Sequence, residues 1–139
     1  MEILFRGQKP DTKEWVYGSL LESSNGRKAI VVKNKGFISK QGNGGWYIAA
    51  PCYDVIPESV GQFINEVDNK KYNLFEGDIV EAIKEVYPNK IGYRDVVALG
   101  NDRAYWLTNE SFGYEGELLQ DPADYVIIGN IHDNPELIK

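Results

Sequence analysis

Between Arg27 and Tyr47 the chain sets five cations, Arg27, Lys28, Lys33, Lys35 and Lys40, among the aromatics Phe37, Trp46 and Tyr47, and no acid occurs from Ser23 to Tyr53. Cationic side chains neutralise phosphates, and exposed rings stack on unpaired bases, so this composition suits a single-stranded nucleic acid. The plainer reading is a pair of solvated hairpins whose lysines blunt sheet edges. Whole-chain charge favours the plainer reading, because a formal net charge of -6 repels a polyanion beyond the local patch. That charge is also uneven. Residues 1–70 carry nine Lys and Arg against eight Asp and Glu, whereas residues 71–139 carry six against thirteen. A third use follows: the basic stretch of one copy could meet the acidic face around Glu115, Glu117, Asp121 and Asp124 of another, giving a homo-oligomer.

Side chains able to do covalent or acid-base chemistry are few. His132 is the only histidine and Cys52 the only cysteine, and nothing beside either of them supplies the oriented base of a nucleophilic set. His132 is expected as a surface residue in a terminal turn. Cys52 is expected as a small buried hydrophobe, since free cysteine is among the most buried residue types. Glu76 and Asp78 stand two apart across a glycine, which is turn spacing rather than the separation of a glycosidase pair. Asp121, Asp124, Asp133 and Glu136 lack the ligand spacing and central glycine of a calcium loop. The run Gly42-Asn43-Gly44-Gly45 lacks the Lys-Ser/Thr and helix that follow a phosphate-cradling loop. No catalytic residue, no metal and no cofactor is expected, and the chain reads as a non-enzyme.

A single cysteine excludes an intrachain disulfide and fits a reducing cytoplasm. The start Met1-Glu2-Ile3-Leu4-Phe5-Arg6 lacks the pattern of a secretory signal, and no segment approaches the roughly 18 apolar residues that span a bilayer. A cytoplasmic protein with no membrane partner is expected.

The elements that must carry these residues are strands. At 139 residues, 42% hydrophobic and 26% charged, the chain can build one compact domain or two small sub-domains. Nine Tyr, three Trp and five Phe, with runs of Val and Ile, fit pleated, half-buried surfaces. Strands are expected at 14–22, 28–33, 46–48, 53–56, 79–83, 96–99, 104–107 and 125–131. Turns are expected at Ser23 to Gly26, at Asn34-Lys35-Gly36, at Asp68 to Lys71 and at Gly100-Asn101-Asp102. Pro57 can open one short helical turn, which Gly61 and Asn65 would disrupt. In Gly77-Asp78 the glycine permits a positive φ and the aspartate can bond nearby backbone, which suits a turn launching a strand. Asn134-Pro135-Glu136 reads as a cap, a first helical residue and an acid near the positive helix end.

Six segments fall in a fixed order: Phe5-Arg6, Trp15-Val16-Tyr17-Gly18, Ile56-Pro57-Glu58-Ser59-Val60-Gly61-Gln62, Glu76-Gly77-Asp78-Ile79-Val80, Ile128-Gly129-Asn130-Ile131 and Asn134-Pro135-Glu136-Leu137. In that order the chain resembles the YopX family of bacteriophage and prophage proteins. The resemblance implies an all-β protein, with an N-terminal β sub-domain over residues 1–70 packed with an SH3-like barrel over residues 71–139 as one compact unit. In that barrel the strand from Tyr125 to Ile131 closes against an earlier one. The resemblance carries no assigned activity. It departs at Ile64-Asn65, where the family usually has Thr-Gly, and at Asn69-Lys70-Lys71-Tyr72-Asn73, where an Asn-Gly turn is usual. The strand Val97-Ala98-Leu99 also lacks a common Trp. The expectation is a phage or prophage accessory protein of the bacterial host cytoplasm that binds a macromolecular partner or itself. Single-stranded nucleic-acid binding through residues 27–47 is the alternative.

Overall fold

In the computed structural model, which describes residues 3–32, 37–85, 91–99, 105–109, 114–118 and 121–138, the branched and aromatic runs become strands joined by turns and short 3-10 segments. The chain clusters into two units, Ile3–Gln62 and Phe63–Lys139.

The first unit holds β1 (Phe5–Gln8), β2 (Trp15–Glu22), β3 (Lys28–Val32), β4 (Phe37–Lys40), β5 (Trp46–Ala49), β6 (Cys52–Val55) and the first residues of β7 (Gly61–Val67). Strand order is β6-β3-β2-β1, with Gly61 and Gln62 of β7 alongside β1, while among the described residues β4 and β5 pair only with each other. Alternation along the strands decides what is buried. Leu20 faces Ile30, and Ile30 faces Tyr53; Ile30 is fully buried, and Val55 lies on the same side of the sheet. Pro57–Ser59 forms the short turn expected of Pro57. Its Ser59 is buried, donates its hydroxyl to Ile56 O at 2.6 Å and accepts from Gln8 N–H at 2.8 Å.

The second unit continues β7 and adds β8 (Asn73–Phe75), β9 (Asp78–Ala82), β10 (Arg94–Leu99), β11 (Tyr105–Asn109), β12 (Tyr114–Leu118) and β13 (Tyr125–Asn130). Its core is Ile64, Leu74, Val80, Ala82, Val97 and Tyr125, with Tyr93 and Ile127 packed against it. Fully burying each large aliphatic contributes about 1.5–3 kcal/mol. Phe63 and Phe75 add a tilted ring pair with centroids 5.5 Å apart. The short turn of Pro57 ends before Gly61, and Asn65 lies within β7, a strand not expected from the sequence. Asn65 takes a left-handed φ of 61° and absorbs the register shift between Phe63 and Val67.

The SH3-like barrel is not formed. β13 does pair with the earlier β9, but the sheet runs β12-β11-β10-β9-β13 and is open, with β12 and β13 at its ends. The reason lies in how the free edge of β13 is occupied. Asn69 N–H donates to Tyr125 O at 2.9 Å, and the buried Asp68 carboxylate accepts from Ile127 N–H at 2.9 Å. The turn at 68–72 thus caps the edge that a closing strand would need. The expected turns at Asn34-Lys35-Gly36 and Gly100-Asn101-Asp102 lie outside the described residues, although Leu99 and Tyr105 do face each other across β10 and β11.

Candidate interaction surface

The basic stretch divides between two places. Arg27 and Lys28 stand where the Ser23–Arg27 turn enters β3. Phe37, Lys40, Trp46 and Tyr47 belong to the separate β4–β5 ladder, with Lys40 opposite Trp46 and Tyr47 opposite Ser39. Lys33 and Lys35 lie outside the described residues. Both described cations at the turn have acidic neighbours: Arg27 Nη2 lies 2.7 Å from Asp54 Oδ2, and Lys28 Nζ lies 4.0 Å from Glu22 Oε1. These groups border a shallow depression of about 260 Å³, with Leu21 and Ala29 as its apolar lining. Exposed pairs of this kind contribute about 0–1 kcal/mol each. Their larger effect is on the field, because each cation is locally neutralised and the phosphate-attracting potential falls.

The acidic segments are also engaged locally. Asp121 accepts from Ala123 N–H at 3.1 Å, opening the 3-10 turn Pro122–Asp124. Lys84 Nζ sits 2.7 Å from Asp124 Oδ1, and that hydrogen-bonded carboxylate raises the Lys84 pKa above its ordinary 10.5. Glu115 and Glu117 fall within β12.

Cys52 is exposed, contrary to the expectation of a buried thiol. The cause is positional: β6 is an edge strand, and of its four residues only Val55 is buried. His132 lies in the turn after β13, where its N–H donates to Asn130 Oδ1 at 3.0 Å. Among the described residues no His, Cys, Asp and Glu gather in a group that could hold a metal ion. Among the same residues no helix is long and apolar enough to cross a membrane.

The segments that carried the resemblance hold backbone in place. The Arg6 guanidinium lies 4.5 Å over the Trp15 ring, joining the first two segments. Gly77 takes φ +90°, and the buried Asp78 beside it accepts from Phe75 N–H at 2.8 Å, so the Glu-Gly-Asp turn is built as its chemistry suggested. Gly77 O then accepts from Ile131 N–H at 2.9 Å, tying that turn to the end of β13. Asn130 Oδ1 takes the N–H groups of His132 and Asp133, and Arg94 holds Leu137 O at 3.1 Å. A β-carbon on Gly129 would lie 2.6 Å from Asn134 Oδ1, so the glycine admits the Asn134 side chain. Asp68, which caps β13, was read only as part of a polar turn; no local pattern marks that carboxylate as buried.

A protein-family model described as YopX protein matches residues 4–139. The chain is similar to the crystal structure of protein EF1440 from Enterococcus faecalis, with a TM-score of 0.66 and 22% identity, over 100% of this chain and 99% of that one. At that identity the likeness bears on fold alone. No curated protein matches the chain.

Proposed function

The chain belongs to the YopX family of phage and prophage proteins, and from that premise we propose that it is a non-enzymatic accessory protein that binds a macromolecular partner or a second copy of itself. One observation carries this reading. Ser59, Asp78 and Asn130, three of the polar residues that carry the likeness, each bond neighbouring backbone groups with their side chains. A catalytic set would instead converge on a shared space where a reacting atom can sit. We place the protein in the host cytoplasm, where its exposed thiol stays reduced.

Nucleic-acid binding is the outcome that would displace this reading. Band-shift measurements with single-stranded oligonucleotides at two salt concentrations decide between them. Binding weaker than about 100 µM is expected, because non-specific contacts of that strength need more uncompensated cations than Arg27 and Lys28 offer. Micromolar binding that falls steeply with salt, and is lost when Lys33 and Lys35 become Glu, would overturn it.

A further inference from the structure

Two Asn-Gly steps occur in the chain, Asn25-Gly26 and Asn43-Gly44, and both stand in hairpin turns of one geometry. Gly26 N–H donates to Ser23 O and Gly44 N–H to Gln41 O, each at 3.1 Å. A second bond closes each turn, from Ser23 N–H to Arg27 O at 2.9 Å and from Gln41 N–H to Gly45 O at 2.6 Å. The glycine after each asparagine takes φ +88°, the left-handed position of a G1 bulge. In such a step the side-chain amide is open to attack by the next backbone nitrogen, because glycine has no β-carbon to shield that nitrogen.

The two turns differ in how firmly they are held. Asn25 Oδ1 accepts from Arg27 N–H at 3.3 Å and from the Ser23 hydroxyl, which itself accepts from Arg27 N–H at 3.2 Å. That turn joins β2 to β3, and each strand has a further partner, β1 and β6 respectively. Among the described residues the Asn43 side chain has one hydrogen-bond partner, Gly45 N–H at 3.0 Å. Residues 41–45 are all exposed, and nothing lies within 4 Å of a β-carbon at Gly42 or Gly44. The β4–β5 ladder that carries this turn has four pairs and, among the described residues, no other strand beside it. A lone two-stranded hairpin is marginally stable in water, so the Asn43 turn opens locally at low cost, whereas the Asn25 turn is tied to its sheet.

We propose that Asn43 is a site of spontaneous covalent modification, which turns the tip of the β4–β5 hairpin from neutral to acidic as the protein ages. In the opened turn Gly44 N gives up its proton to hydroxide and attacks Asn43 Cγ. The new N–Cγ bond closes a succinimide ring, the Cγ–Nδ2 bond breaks, and the side-chain nitrogen leaves as ammonia after taking a proton from water. Water then adds to one of the two ring carbonyls and reopens the ring as aspartate or isoaspartate, with nothing oxidised or reduced. Either product puts a carboxylate into the stretch from Ser23 to Tyr53, which has no acid.

Incubation of the full chain at neutral and mildly alkaline pH, followed by peptide mass mapping, reads the conversion at each asparagine. Asn43 is expected to convert at least about fivefold faster than Asn25, the factor that one further net hydrogen bond on Asn25 commands. The rate should rise with pH, because the attacking nitrogen must lose its proton. In urea the two steps should react at similar rates, since the turns that distinguish them are gone. Asn43→Gln, whose longer side chain closes its ring far more slowly, should end the conversion at position 43 and leave that at Asn25 unchanged. Conversion of the folded chain at Asn25 as fast as at Asn43 would overturn the proposal, as would a folded Asn43 that stays intact while the chain in urea reacts. A preference for Asn43 that persists in urea would also overturn it, by tracing the difference to sequence rather than to the turns.

Discussion

Gly18→Ala is expected to destabilise the chain by about 3 kcal/mol or more, the upper end of the cost of overpacking. A β-carbon on Gly18 would lie 1.9 Å from Val31 O and 2.7 Å from its carbonyl carbon. Both are backbone atoms of the neighbouring strand, so no rotamer change relieves the contact. The strands would have to separate at Gly18/Val32, and the adjoining Leu20/Ile30 pair would move with them. Ile30 is the fully buried centre of its unit, so the strain reaches the core. Gly42 provides the control. Nothing lies within 4 Å of a β-carbon there, and Gly42→Ala should stay within about 0.5 kcal/mol of wild type. Urea unfolding followed by tryptophan fluorescence gives both values; equal midpoints for the two variants would refute the close approach.

Asp68→Ala should cost about 3 kcal/mol, because buried donors that lose a charged acceptor cost about 1–3 kcal/mol each. The carboxylate is 1% exposed. One oxygen accepts from Lys70 and Tyr72 N–H and the other from Ile127 N–H, each at 2.9 Å. Lys70 and Tyr72 are exposed and can turn to water, which keeps the total below three full penalties. Asp68→Asn separates the two oxygens. Its amide oxygen can serve the turn while its NH₂ opposes Ile127 N–H, for a cost of about 2 kcal/mol. Hydrogen exchange localises the effect: Ile127 N–H should lose protection in both variants, while Val97, on the central strand β10, should follow only the global stability. Unchanged exchange at Ile127 would show that Asp68 does not hold the edge of β13.

This latch also explains why the open sheet was not legible. Alternating branched residues locate β2, β3, β9, β10 and β13 because period and propensity are local properties. Closure depends on what occupies the second edge of β13, and that is Asp68, 59 residues away in the chain. The basic stretch shows the same limit. Its window from Ser23 to Tyr53 holds no acid, yet the groups that neutralise Arg27 and Lys28 are Asp54 and Glu22, the residues just outside it. Strand pairing brings them in, and sequence distance hides them. Cys52 misled for a related reason: side-chain chemistry favours burial, but an edge strand with one inward residue overrides it. The Gly77-Asp78 turn was legible because the positive-φ glycine and the Asp78–Phe75 bond that shape it lie within four residues.

The residues that define the family likeness serve the fold, and unfolding of three single variants tests this most directly. Ser59→Ala, Asp78→Ala and Asn130→Ala each remove a side chain that bonds nearby backbone. Urea denaturation should show losses of about 1–3 kcal/mol for each, greatest at the buried Asp78. Three variants as stable as wild type, within about 0.5 kcal/mol, would contradict the structural role and point to a use for those side chains beyond folding.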